Sequence, residues 1–473
     1  MNESLREYYR CPEQHIPLQS RGPLSEERGY FRFDTNVLYG QVRGAITAST
    51  PDHSLQDVTS ECVPLEGAVS LPFDATEVVN NLRYETYTSS SADWHPASSF
   101  LGRGYYFLRP ILPVGVRRHL QKFRLNGWRH LRFPHWPVDR TVDSVLERLL
   151  LLSLRAIQQK EIPFIWFWPD GATSCAIMTH DVETTAGRDF CSTLMDINDG
   201  HGIKASFQVV PEIRYDVPES YLENIRRRGF EVNVQDLNHD GHLFRSKKEF
   251  LARASKINEY RRQFKAEGFR SAILYRRQEW YDALDFSYDM SVPNVAHLDP
   301  QRGGCCTVMP YFVGNMVELP VTTTQDYSLF HILEEHSIEL WKRQVDLIMA
   351  KHGLINFIIH PDYIIEQSER ATYETLLAYL GKLKAEKNVW MPLPREAASW
   401  WRQRSNMRLV EVNGTWQIEG EGSARARIAY ASEKDGELDY SFEPLNARCE
   451  SPELLPGTNR QEKSARIPSW QIN

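Results

Sequence analysis

Residues 174–184, SCAIMTHDVET, carry an apolar run straight into His180, Asp181 and Glu183. Asp181 and Glu183 stand two apart, so on a persisting strand both side chains leave on one face and can converge on a single ion or substrate. A buried strand ending in an acidic loop would look the same, and the rest of the chain has to separate the two readings. A second stretch, residues 229–242 (GFEVNVQDLNHDGH), ends a strand in a loop holding Gln235, Asp236, His239, Asp240 and His242. Gln235 and His239 are four apart and can share one ion where the backbone turns helically, and imidazole is the commonest metal ligand. In residues 354–363, LINFIIHPDY, an apolar strand delivers His360 and Pro361 stops it, which poises the imidazole for acid or base work. Residues 268–293 add Arg270 and Asp289. Each of these groups alone reads as structural. Together, after successive strands, they predict a polar cluster at the carboxyl ends of a sheet, where α/β folds keep their chemistry.

The elements that must position them alternate. Strands are expected at 203–210, 230–234, 269–274 and 354–359, and helices at 218–228, 247–266, 337–351 and 368–384, the βα rhythm of a parallel sheet or barrel. Residues 141–159 (TVDSVLERLLLLSLRAIQQ) predict a helix too short and too charged at its flanks to span a bilayer, hence one that packs on the main domain. The aromatic run FIWFW after it reads as a buried wall. Upstream, residues 29–46 predict a hairpin and residues 72–85 a short helix capped by Asp74, while residues 1–27 are polar and expected to have little structure of their own. Downstream, Asn413-Gly414 between alternating strands signals a tight hairpin, RARIAYA and ELDYSF add two strands, and the tail is expected to be disordered.

The chain has 473 residues, 41% of them apolar, and fits one large domain with smaller attachments. The expected division is an amino-terminal extension (1–160), a barrel (161–402), a small β appendage (403–445) and a disordered tail (446–473). With 55 basic and 62 acidic residues the net charge is −7, which gives no global reason to expect nucleic acid. Seven scattered cysteines without CxxC spacing read as reduced thiols. No leader-like apolar region and no long apolar run is present, so a cytoplasmic location without a transmembrane segment is expected. A basic and aromatic stretch, residues 104–130, predicts a helix over 113–125. That stretch reads either as a solvated face or, through 117–129, as a peripheral contact patch for an anionic glycan, lipid headgroup or membrane surface.

The segments MTHDVE, EVNVQDLNHDG, GFRS, DMSVPN and INFIIHPDY, in that order and spacing, resemble the motifs of the polysaccharide deacetylases of carbohydrate esterase family four. The resemblance covers residues 162–394. It implies a distorted (β/α)7 barrel and metal-dependent hydrolysis of a carbon–nitrogen bond other than a peptide bond, removing acetyl from an N-acetylated polysaccharide or its precursor. By the same resemblance Asp181 is the base, His360 the acid that protonates the leaving amine, Arg270 the holder of Asp181 and Asp289 the group that orients His360. Glu183, His239 and Gln235 occupy the metal positions, with zinc the expected ion. Glu183 stands where aspartate is usual, Ala272 where proline is usual, and Gln235 where the first metal histidine is expected. His242 or Asp240 could substitute for it as ligand. Because a neutral amide is the weaker donor, the alternative reading is a deacetylase-like protein that binds glycan without hydrolysing it.

Overall fold

The computed structural model describes residues 2–44, 47–65, 67–88, 125 and 127–444. The expected helix over 113–125, most of the basic stretch 117–129 and the tail 446–473 therefore lie outside the described residues, apart from isolated positions.

The amino-terminal part consists of helix α1 (Glu3–Tyr9), strands β1 (Leu18–Ser20), β2 (Gly29–Phe33), β3 (Asn36–Gly40), β4 (Val63–Leu65) and β5 (Ala68–Leu71), and helix α2 (Ala75–Arg83). Strands β2 and β3 form the expected hairpin, and the Asp74 carboxylate accepts from the Thr76 and Glu77 N–H groups at the start of α2. Residues 1–27 depart from expectation. They hold α1 and β1 because Tyr8 and Tyr9 are buried edge-on against Phe167 and Phe164 of the aromatic run. Helix α3 (Thr141–Ala156) is buried along most of its length, and strand β6 (Glu161–Ile165) follows it.

The main sheet starts at β7 (Ser174–Val182), buried at every position as a central parallel strand with both faces covered must be. It continues with β8 (Ser206–Val209), β9 (Glu231–Gln235), β10 (Gly268–Arg270), β11 (Tyr288–Asp289), β12 (Tyr311–Val313), β13 (Met316–Glu318), β14 (Leu354–Ile359) and β15 (Val389–Trp390). The order is β12-β13-β11-β10-β9-β8-β7-β14, with β15 also on β7, and every pairing except β12 with β13 is parallel. Helices α4 (Thr185–Gly200), α5 (Glu219–Arg227), α6 (Lys247–Gln263), α7 (Glu339–Met349) and α8 (Gln367–Lys387) lie in the crossovers, and α9 (Pro394–Asn406) follows the sheet. The strand expected over 269–274 ends at Arg270, since Ile273 and Leu274 take left-handed conformations (φ 60° and 54°) that turn the chain out of the sheet. The result is a mixed α/β fold whose sheet curls toward a distorted barrel. Its two ends are joined by side chains: Thr322 Oγ1 donates to the Leu354 carbonyl at 2.7 Å, Thr323 Oγ1 to the Asn356 carbonyl at 2.8 Å, and Asn356 Nδ2 to the Leu319 carbonyl at 3.0 Å.

Beyond the sheet, β16 (Arg408–Val412) and β17 (Thr415–Glu419) form the expected hairpin, with Asn413 and Gly414 both at positive φ, as a tight primed turn requires. Strand β18 (Ile428–Lys434) pairs with β19 (Glu437–Ser441) on one edge and with β6 on the other. No helix among the described residues is long and apolar enough to cross a membrane.

A buried ion pair ties the extension to the segment that follows β10. The Glu85 carboxylate accepts from Nε of Arg276 at 2.6 Å and again from Nη2, and it also accepts from the Gly304 N–H at 2.6 Å, with Arg276 only 1% exposed. Removing one partner leaves the other charge buried without compensation. Glu85→Gln is therefore expected to cost about 3 kcal/mol in urea unfolding. A loss below about 1 kcal/mol would show that the pair does not anchor the extension.

Candidate active site

Four parallel strands, β7, β9, β10 and β14, bring charged or polar residues to the same end of the sheet. Register places His180 opposite Ile359, so Asp181 and His360 follow side by side, and it places Arg270 opposite Gln235. His180 itself turns the other way, where Asn198 and Tyr373 meet its Nε2, and burial holds its pKa down to about 3. It is a core residue.

The Glu183 carboxylate is the meeting point. Its Oε1 lies 2.7 Å from Nε2 of His239 and 3.5 Å from Nε2 of His360, and it accepts from Nε2 of Gln235 at 3.0 Å. Gln235 Nε2 also donates to Asp181 Oδ2 at 3.4 Å. Arg270 is wholly buried; one guanidinium nitrogen donates to Asp181 Oδ2 at 3.5 Å and another to Thr179 Oγ1 at 3.1 Å. Burial pushes the Asp181 carboxyl up, against the pull of Arg270 and His360. For Glu183 burial acts in the same sense, but His239 and His360 outweigh it and hold the group well below the usual carboxylate range. Asp181, Glu183 and His360 each offer a ligand atom, all within 4.8 Å of one another. Three further observations bear on an ion there. Asp181 Oδ1, Gln235 Oε1 and His239 Nε2 are buried without a hydrogen-bond partner among the described residues, although His239 Nε2 is so close to Glu183. That donor set, two carboxylates, an amide oxygen and imidazole, fits a divalent cation.

Two expectations are corrected. Asp289 does not orient His360: its carboxylate accepts from the Ser291 N–H at 3.0 Å and from Ser291 Oγ at 2.6 Å, and its register partner is Glu318. The partner of His360 is Asp326, which accepts from the His360 backbone N–H at 2.6 Å and contacts Nδ1 at 2.6 Å. Burial lowers the His360 pKa, but Asp326 and Glu183 outweigh it and raise it well above the ordinary value. Nor do Asp240 and His242 reach the cluster. Both Asp240 oxygens are held by Arg253 at 2.7 and 2.8 Å, and His242 is half-exposed beside Asp240. The signal for Asp326 was an acid closing TTTQD just after a strand, a short polar run with no periodicity to mark it.

No protein-family model matches the sequence, and no curated protein matches it. Solved structures do resemble it, and they include polysaccharide deacetylases and pseudoenzymes of the CE4 family. A structure assigned as a polysaccharide deacetylase from Mycobacterium smegmatis is 18% identical, with TM-score 0.43 over 53% of this chain and 97% of that one. A peptidoglycan deacetylase from Bacillus subtilis is 14% identical, with TM-score 0.32 over 50% and 95%. A mutant CE4 pseudoenzyme with restored enzymatic activity is 17% identical, with TM-score 0.30 over 48% and 68%.

The rim beside Glu183 carries backbone strain. Arg214 Nε donates to the Glu183 carbonyl at 2.9 Å, Tyr215 Oη to the Val182 carbonyl at 2.6 Å, and the Glu212 N–H to the Leu237 carbonyl at 3.0 Å. These pins hold Ile213, 83% exposed, at φ 72°, a conformation that β-branched residues strongly avoid. Ile213→Asn, which suits that region, is expected to raise stability by about 1 kcal/mol, read as a higher urea midpoint. An unchanged or lower midpoint would show that the loop stores no strain.

Proposed function

We propose that the chain is a metal-dependent hydrolase of carbon–nitrogen bonds other than peptide bonds, which deacetylates an N-acetylated polysaccharide or its precursor on a (β/α)7-type barrel. The observation that carries this reading is the meeting of His239, Gln235 and His360 around one Glu183 oxygen, with Asp181 beside them, at the carboxyl ends of β7, β9 and β14. In this reading Glu183, His239 and, through its amide oxygen, Gln235 hold a divalent ion, zinc or a harder cation. Such an ion, when bound, polarises an acetyl carbonyl and acidifies a bound water. Asp181, positioned by Arg270, accepts the proton of the attacking water. His360, its Nδ1 side fixed by Asp326, directs Nε2 toward the cluster and donates a proton to the departing amine. Asp326 thus takes the part that the sequence motif assigned to Asp289.

One observation favours a second reading, a glycan-binding protein without turnover. As placed, the Gln235 NH2 group faces both carboxylates and satisfies them as a cation would, while Oε1 has no partner. Half a turn about the Cγ–Cδ bond exchanges the two atoms and converts the same amide from donor into ligand.

Metal content of the purified protein and the Gln235→His variant separate the readings. The variant is expected to bind zinc at least about tenfold more tightly and to gain deacetylase activity in step. Zinc in neither protein, and turnover in neither, would leave the binding reading standing. Where activity is measurable, His360→Ala is expected to lower kcat about 100-fold with the urea midpoint little changed. Unchanged turnover would remove His360 from the mechanism.

A further inference from the structure

Residues of the segment 128–136, with His297 after β11 and Leu333 and Glu335 after β13, line a cavity of about 490 Å³, open to solvent and within the roughly 300–1,000 Å³ range of small-molecule sites. Its described lining combines two indoles, several basic groups and one buried imidazole. Trp128 and Trp136 meet edge to face at 4.9 Å, and the Arg129 guanidinium lies 5.3 Å from the centre of the Trp128 ring. Arg132 and His135 are exposed at the same cavity, and Glu335 is the only acid among its described lining residues. His297 is 2% exposed, yet neither ring nitrogen has a hydrogen-bond partner among the described residues; the Pro134 carbonyl faces it without an aligned bond. Burial, with Arg302 adding to it, lowers its pKa to about 4, so the ring is neutral at pH 7 and offers one donor and one acceptor.

We infer that this cavity is a subsite for a pyranose ring bearing a carboxylate or phosphate, a unit of an acidic glycan. Half-buried indoles supply apolar faces for the C–H side of a sugar ring, and the His297 ring forms part of the wall behind them. The exposed guanidiniums at the mouth match an anionic substituent and disfavour a cationic one. The cavity opens at the same end of the barrel as the proposed acid. The His360 and Tyr363 rings meet tilted at 4.7 Å, Tyr363 meets His331 at 5.2 Å, and the helical turn Ser328–Ile332 that holds His331 leads into Leu333 and Glu335 of the lining. The inference rests on the glycan reading only in taking the bound sugar to be part of the substrate.

The test is tryptophan-fluorescence and calorimetric titration of the full chain, in an Asp181→Asn background that prevents turnover. The probes are a glucuronate-containing tetrasaccharide, N-acetylglucosamine 1-phosphate, neutral chitotetraose and uridine monophosphate. Tighter binding of the first or second probe than of chitotetraose, by about tenfold at low salt, supports the proposal and says which anion is preferred. Trp136→Ala and His297→Ala are each expected to weaken that probe about tenfold, and Arg129→Ala with Arg132→Ala to abolish the preference over chitotetraose. Trp128→Ala, at a less buried position, serves where His297→Ala fails to fold. Affinity unmoved by the tryptophan and arginine variants, or tightest binding of uridine monophosphate, would overturn the subsite. Binding that responds to these variants in a chain without deacetylase activity would sustain the subsite while refuting the hydrolase reading.

Discussion

The Glu183 carboxylate, mostly buried at the end of β7, is the constraint to which the rest of the site answers. A charge withdrawn from water must be matched on the spot, and here one oxygen is approached by His239 at 2.7 Å, Gln235 at 3.0 Å and His360 at 3.5 Å. Bringing His239 there bends the chain hard after β9: Asp236, His239 and Gly241 have φ of 51°, 56° and 75°. Two sets of bonds offset that cost. The Asp236 N–H donates to the Arg270 carbonyl at 2.8 Å, and Arg253 from α6 grips Asp240 with both arms. Asp240 therefore braces the loop that carries the imidazole, which is why it is not free to act as a ligand.

A second dependence runs through the seam of the sheet. Thr322, Thr323 and Asn356 join the β13 side to β14 without a regular strand pairing, and three residues past Thr323 the same segment lays Asp326 under His360. The seam thus fixes both the curvature and the aim of the imidazole. The amino-terminal part is fastened to the adjoining loops by equally specific bonds. Asn294 exchanges hydrogen bonds with the Asp139 backbone at 2.7 and 2.8 Å, and Asp143 accepts from Thr307 Oγ1 at 2.8 Å and the Val308 N–H at 3.0 Å. The segment 128–136, which lines the cavity, is accordingly anchored just past its carboxyl end, at Asp139.

What the sequence disclosed follows from how each residue is delivered. Asp181, Glu183 and His360 stand at or just past the ends of long apolar runs, and Gln235 closes an alternating strand, so type and position could both be read. Asp326 follows a strand of three residues, and its role depends on a seam made by side chains, which leaves no period in the sequence. Asp289 sits in a two-residue strand, where no pattern says which way an acid points. The bracing of Asp240 by Arg253 joins residues thirteen apart across a loop and a helix, beyond any local spacing rule. Helix α1 escaped for a related reason: a seven-residue helix gains its stability from packing, and Tyr8 and Tyr9 find Phe167 and Phe164 far along the chain.

The displacement of Asp289 by Asp326 has an electrostatic logic. Asp289 and Glu318 are register neighbours on parallel strands, both wholly buried, and two adjacent carboxylates cannot both hold a charge there cheaply. Burial and the Asp289 charge push the Glu318 carboxyl well up. Arg270 acts the other way, pulling the Glu318 carboxyl back down, and also contacts Asp181. Its positive charge is thereby set against acids on both sides. Asp289, engaged with Ser291 and Glu318, has no geometry left for an imidazole on β14. His360 then needs a carboxylate of its own, and Asp326, with one oxygen on the backbone N–H and the other on Nδ1, fixes the ring's orientation while leaving Nε2 turned to the cluster.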